Sequence, residues 1–215
     1  MEIRLEIPGA KLGLVEAEGL RVELVVADLA AEMDSVCARL RQTLSVEQVA
    51  ELEAVRAVRT MFRGWGVDPS RYRPSAEALL RRVAQGKGLY RVSNVVDAAN
   101  LGSVETGWPF GCYDRARIDT PVEFRLGRIG ETYEGIGKQT WHLEGRPVLA
   151  DARGAFGSPI SDSTRTMITE SARSVLTVIL APAATRDAAL QQALDSLSAR
   201  LRQFAGAQSV DTSLL

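Results

Sequence analysis

The 215-residue chain has only two cysteines, Cys37 and Cys112, and a single histidine, His142. That inventory cannot build a Cys/His zinc centre, so no metal and no cofactor are expected. A cysteine nucleophile would have to take His142 as its base. So would a Ser–His–Asp triad, and no serine here sits in a glycine-flanked nucleophile elbow. The plainer reading makes both cysteines small buried hydrophobes and places His142 in a strand near a turn. Long apolar runs are also missing: none approaches the roughly 20 residues that cross a bilayer. The opening Met1-Glu2-Ile3-Arg4-Leu5-Glu6 carries acids and no apolar segment, so no signal peptide is expected. The reading is of a cytoplasmic protein without a membrane partner.

Lysine is scarce too, with 3 against 23 arginines. A net charge of −1 argues against a general nucleic-acid binder, and DNA is not an expected partner. The charge is uneven, however. Between Val55 and Val92 stand Arg56, Arg59, Arg63, Arg71, Arg73, Arg81, Arg82, Lys87 and Arg91, opposed only by Asp68 and Glu77. This band is either a set of solvated helix faces or a phosphate-facing surface, since guanidinium forks match phosphate oxygens.

Periodicity predicts short strands in residues 1–26, from the alternation of Ile3, Leu5 and Ile7 and of Val22, Leu24 and Val26. A helix follows from about Asp28 to Leu44. A second runs from Ser45, where Ser45 and Gln48 form a capping-box pattern, to Arg63-Gly64. A third is capped by Ser75, with Glu77 in its first turn, and a fourth covers about Ser93–Glu105. Beyond Asp114 glycines punctuate strand-like segments, of which Pro147–Asp151 and Ser174–Ala181 read as buried. A last helix covers about 185–204, and the tail from Ala205 is expected to be loosely ordered. Strand segments at both ends argue for one α+β domain over 1–215, helices packed on a mainly antiparallel sheet or sandwich.

Asn94, Asp97 and Asn100 fall on one face of the fourth helix. A buried polar line costs stability unless each group finds a partner. It either orders the following loop, Gly107-Trp108-Pro109-Phe110-Gly111-Cys112-Tyr113-Asp114, or shapes a small-molecule cleft.

The run from Arg91 to Ile118 resembles the internal tRNA-editing domain of the phenylalanyl-tRNA synthetase beta subunit. That family carries Arg-x-x-Asn-Asn-Val-Val-Asp, an Asn three residues on, then Gly-x-Pro-x-His-x-Phe-Asp. The matching positions are Arg91, Asn94, Val95, Val96, Asp97, Asn100, Gly107, Pro109 and Asp114. Upstream, Arg73–Gly88 looks like the family's Ser-x-x-x-Leu-x-x-Arg-Leu helix. Downstream, Val148–Asp151, Gly154–Thr166 and Ile168–Ala172 follow the order of its Ile-Ala-Asp, glycine-rich, Ser/Thr and Leu-Glu-Ser-Ala segments. The resemblance covers about residues 70–180.

What the resemblance implies is specific. The chain has no room for an ATP-binding module, so it should act as a freestanding editing domain and not as a complete ligase. It would bind the aminoacylated end of a tRNA and hydrolyse a mischarged ester in trans, as the synthetase domain does with tyrosine on the phenylalanine tRNA. Glu170 would read the amino-acid side chain. Asn100, Gly111, the glycine-rich loop at Gly154 and Gly157, and Thr164 of the Ser/Thr segment would form the substrate pocket. Arg73, Arg81, Arg82 and Arg91 would meet tRNA phosphate. No catalytic side chain is assigned, and Gly111 stands where the family has His. That departure keeps open a non-catalytic binder of tRNA, RNA or an amino acid. A cleft for a small aromatic or polar metabolite unconnected with RNA is also open.

Overall fold

A computed structural model describes residues 1–215. The elements in chain order are β1 (Ile3–Leu5), β2 (Ala10–Glu18), α1 (Ala27–Thr43), α2 (Glu53–Gly64), α3 (Ser75–Ala84), α4 (Asn94–Thr106), β3 (Phe110–Asp114), β4 (Val122–Leu126), β5 (Thr132–Glu134), β6 (Thr140–His142), β7 (Pro147–Asp151), β8 (Gly154–Gly157), β9 (Ser174–Pro182), α5 (Asp187–Ala205) and β10 (Ser209–Leu214). The fold is α+β. One sheet runs β10-β2-β9-β3, antiparallel throughout; a second runs β1-β4-β7-β8, with only β1 and β4 parallel. β5 and β6 form a separate hairpin.

The β10-β2-β9-β3 sheet is the middle layer. On one face Val15, Ala17, Val175 and Ile179 pack with Leu29, Leu80, Val95, Leu101 and Leu194 from the helices. On the other face Leu12, Leu14, Leu176 and Val178 meet Val122, Phe124, Leu149 and Phe156 of the second sheet, together with Phe62 of α2. Each Val, Leu, Ile or Phe side chain so removed from water contributes roughly 1.5–3 kcal/mol. Burial on both faces explains why Val175–Ala181 is apolar but for Thr177: both sides of β9 need hydrocarbon.

The same burial hid β2. Leu12, Leu14 and Val15 are all fully buried, so the segment shows no clean alternation, while Val22, Leu24 and Val26 alternate without forming a strand. Backbone bonding there goes elsewhere: the Arg21 N–H donates to Ala205 O and the Asn94 N–H to Glu23 O. The expected second helix is split. The Ser45 N–H donates to Gln48 Oε1 at 2.8 Å and the Gln48 N–H to Ser45 Oγ at 3.4 Å, so the capping box forms, but on a short 3-10 turn over Gln48–Glu51 before α2. Ser75 is not a cap: it lies inside α3 after Pro74, and its N–H donates to Pro159 O. The tail is not loose, because β10 pairs along β2 from Ser209↔Glu18 to Leu214↔Gly13.

α4 is capped by the Ser93 hydroxyl, which accepts from the Val96 N–H, and it ends at Gly107 in the left-handed conformation, φ 74°. The hydrogen bonds of its polar line go to segments other than the loop that follows it. The Asn94 amide donates to Arg21 O and Phe204 O and accepts from Glu23 N–H, and Asp97 accepts from Val92 N–H. The following loop is held instead by Ser103, which donates to Trp108 O at 2.7 Å, and by Thr106, which accepts from Trp108 N–H.

Candidate functional site

α3 turns its cations toward the segment that leaves β8. Between them lies a cleft of about 560 Å³ lined by Arg73, Arg81, Arg82, Lys87, Tyr90, Asn100, Phe110 and the 158–162 loop. A second hollow of about 240 Å³ opens beside it, lined mainly by Val92, Val96, Ala99, Ile136, Met167 and Ile168. Asn100, Phe110 and Asp162 line both. The result is a two-part groove, one part cationic and one apolar, meeting at an amide, an aromatic ring and a carboxyl.

Local structure sets each group. Glu77, 1 % exposed, anchors the cationic wall: it accepts from Arg59 Nη1 at 2.9 and 3.0 Å and from Arg81 Nε at 2.9 Å, and Arg73 approaches to 3.6 Å. Three arginines of the basic band are therefore partly neutralised by one acid, and their geometry is fixed. Arg82 is different. It stacks over the Tyr90 ring at 3.9 Å from Cζ to centroid, and its enclosed Nε has no partner. The Asn100 side chain makes no hydrogen bond within the chain, so its amide is available to a ligand.

The 158–162 loop covers β3, the edge strand of its sheet. The Ser158 hydroxyl donates to Ser161 O at 2.7 Å and accepts from Ser161 N–H, while the Tyr133 hydroxyl donates to Ser161 O at 2.5 Å. Asp162 is thereby turned inward. Its carboxylate accepts from the Tyr113 hydroxyl at 2.8 Å and from Ser158 N–H at 3.4 Å. Burial pushes the Asp162 carboxyl up to about 7, against the lowering effect of Tyr113 and of the Ser158 and Cys112 N–H groups. The Tyr113 phenol is held well above its ordinary range, first by burial and then by the Asp162 charge, and burial pushes the Cys112 thiol up to about 12.

The residues expected from the sequence divide. Asn100, Arg73, Arg81 and Arg82 come together in the groove. Arg91 does not: it bonds Asp34, Ala30 O and Met33 Sδ on α1. Glu170 is exposed in a turn past Ile168 and lines neither hollow. Gly154 gives its carbonyl to Arg165 Nη2, and the Thr164 hydroxyl donates to Glu134 O, both outside the groove lining. Gly111 and Gly157 flank the buried Tyr113 ring. A Cβ at Gly111 would overlap the hydroxyl and lie 2.6 Å from Cζ, and one at Gly157 would lie 2.5 Å from Cε1 and Cζ. The glycines thus make room for an internal tyrosine. Sequence reasoning missed Tyr90, Phe110, Tyr113 and Asp162. The signal for Tyr113 was present: it stands where the resembled motif has Phe, two residues beyond Gly111.

Comparison with known proteins finds relatives for part of the chain. Phenylalanine–tRNA ligase beta subunits are similar over part of their length. That of Xanthomonas euvesicatoria pv. vesicatoria is 32% identical over 143 residues, 61% of this chain and 17% of the relative. That of Synechococcus is 30% identical over 138 residues, 56% of this chain and 16% of the relative. That of Neisseria meningitidis is 28% identical over 103 residues, 43% and 13%. The chain spans less than a fifth of the length of these relatives. A crystal structure of an N-terminal fragment of the phenylalanyl-tRNA synthetase beta subunit from Pyrococcus horikoshii aligns with 97% of this chain and 50% of its own, at 15% identity and a TM-score of 0.49. No helix is long and apolar enough to cross a membrane. Residues 57–205, well over half of the sequence and more than the stretch first read as similar, match the B3/4 domain, and the chain belongs to that family.

Proposed function

We propose that the groove binds the aminoacylated 3′ end of a tRNA and hydrolyses a wrongly attached amino acid in trans. The observation that carries this reading is the two-part groove itself. An aminoacyl-tRNA end joins phosphates and ribose to an amino-acid side chain through one ester. The cationic part, with Arg73, Arg81, Arg82 and Lys87, suits the phosphates; the apolar part suits the side chain; Asn100 and Asp162 stand at the junction where the ester would lie. Similarity to the beta subunits of phenylalanine–tRNA ligases supports the same substrate class. An aminoacyl ester is already activated, so positioning supplies a large part of its hydrolysis. Glu170, Gly154 and Thr164 would act at the outer margin of the site and not at the ester.

The test is deacylation of a panel of mischarged tRNAs, including tyrosine on the phenylalanine tRNA. Release above the uncatalysed rate for at least one member is expected; none at all would end the reading. A binder without turnover is the second reading, favoured by Gly111, which offers no side chain to the reaction. Salt-dependent tRNA binding with no release would select it.

A further inference from the structure

Glu77, Glu131 and Asp151 are enclosed or half-enclosed carboxylates, and each is held by an arginine at 2.8–3.0 Å. Asp162 forms no ion pair at all, in a chain with 23 arginines. Its partners are a phenol and backbone N–H groups, and the residue lines both the cationic and the apolar hollow. A carboxylate placed so, without a cation, is free to exchange a proton.

We infer that Asp162 is the general base of the ester hydrolysis and that Tyr113 is its positioning residue. This rests on the proposed deacylation. A water between the carboxylate and the ester would add its oxygen to the carbonyl carbon as Asp162 takes one of its protons. The bond from that carbon to the ribose oxygen then breaks, and the proton passes from Asp162 to the departing ribose oxygen. The products are a free amino-acid carboxyl and a free ribose hydroxyl, and the Asp162 carboxylate is regenerated.

The surroundings suit the task. A base works best with a pKa near the working pH, and burial holds Asp162 at about 7. The titratable groups that face it are Tyr113 and Cys112 from β3 and Tyr133 from β5, all held above their ordinary values and so neutral near pH 7. Arg73, Arg81, Arg82 and Lys87 line the same cleft. Tyr113 is in turn fixed by the T-shaped Phe156 ring, 5.1 Å centroid to centroid, and by the close backbone of Gly111 and Gly157. Its hydroxyl keeps one carboxylate oxygen occupied, which aims the other.

The experiment compares wild type, Asp162→Asn and Tyr113→Phe on tyrosine-charged phenylalanine tRNA and the rest of the mischarged panel, from about pH 5 to 9, with uncatalysed release subtracted and melting temperatures recorded. Wild type should show a rate that rises with pH through a limb near 7. Asp162→Asn should stay folded and lose on the order of 10²–10⁴-fold, with no limb. Tyr113→Phe removes a hydrogen bond to the charged carboxylate, so its limb should move to higher pH, a shift that a merely structural tyrosine would not give. If Asp162→Asn hydrolyses as fast as wild type with the same pH dependence, the base is wrong while the deacylase reading stands. If Tyr113→Phe leaves the limb in place, the positioning role is wrong. A wild-type protein inert toward the whole panel removes the reading and the base together.

Discussion

Asp162 lines the groove and Glu77 stands behind its cationic wall, and the fold treats the two acids in opposite ways. Glu77 is matched by Arg59, Arg73 and Arg81 and braces α2 against α3. Asp162 is matched by neutral donors and is left with a pKa near neutrality. The first arrangement fixes a charge permanently; the second lets a charge come and go. Both carboxyls are withdrawn from water, Glu77 the more completely, and what separates a strut from a reactive group here is the charge of the partner.

The strongest way to break the comparison is Glu77→Ala. It would leave three guanidinium groups converging on an empty, water-poor space, and breaking an enclosed pair of this kind costs about 3–5 kcal/mol. A large fall in the urea midpoint with an unchanged slope is expected. Asp162→Asn should behave in reverse. The folded carboxyl, at about 7, holds its proton above the unfolded value of roughly 3.9, so the folded state binds more protons across that window. Wild-type stability therefore falls as pH rises from about 4 to about 7. The variant lacks that loss and should gain on wild type by on the order of 3 kcal/mol over the window, with the two nearly equal at pH 4. A difference independent of pH would show that the carboxyl does not titrate in the folded protein.

Gly111→Ala acts on the second site through its support. The new Cβ meets the Tyr113 ring, which is enclosed on the far side by Gly157. Overpacking of this sort costs about 1–3 kcal/mol, and it should separate Tyr113 from Asp162, moving the ultraviolet absorption of the buried phenol.

How far the sequence foretold this depends on the kind of signal. α1 and α5 were legible within a few residues because each has an apolar face at a 3.6-residue period, and α4, buried nearly all round, because Gly107 and Pro109 stop it. β2 was not, because both its faces are buried, and β10 was not, because the polar Ser209-Val210-Asp211-Thr212-Ser213 owes its order to pairing with β2 and not to its own hydrophobicity. At the site, Asn100 and the α3 arginines were legible through the resemblance. Arg91 looked the same in sequence, but α1 lies against it and takes its donors. Asp162 could not be read, since an acid in a Ser-Asp-Ser-Thr loop looks solvated until β3 and Tyr113 are placed beside it.

The smallest expected change in stability sharpens the comparison most. Arg81 and Arg82 are neighbours on α3 and both line the cationic hollow, but Arg81 is bound to Glu77 while Arg82 stacks on Tyr90 and gives only a long hydrogen bond, 3.4 Å, to Lys87 O. Arg81→Ala should lower both stability and tRNA affinity. Arg82→Ala gives up an exposed-edge cation–π contact worth about 0.5–1 kcal/mol and relieves an unpartnered Nε, so its melting temperature should barely move. If Arg82 meets a phosphate, its loss should weaken binding and make the salt dependence shallower by about one counterion, a log–log slope change of roughly 0.7–0.9. Equal melting losses for the two variants, or a salt slope that Arg82→Ala leaves unchanged, would mean that the cationic wall is wholly structural and that the groove takes its ligand without phosphate.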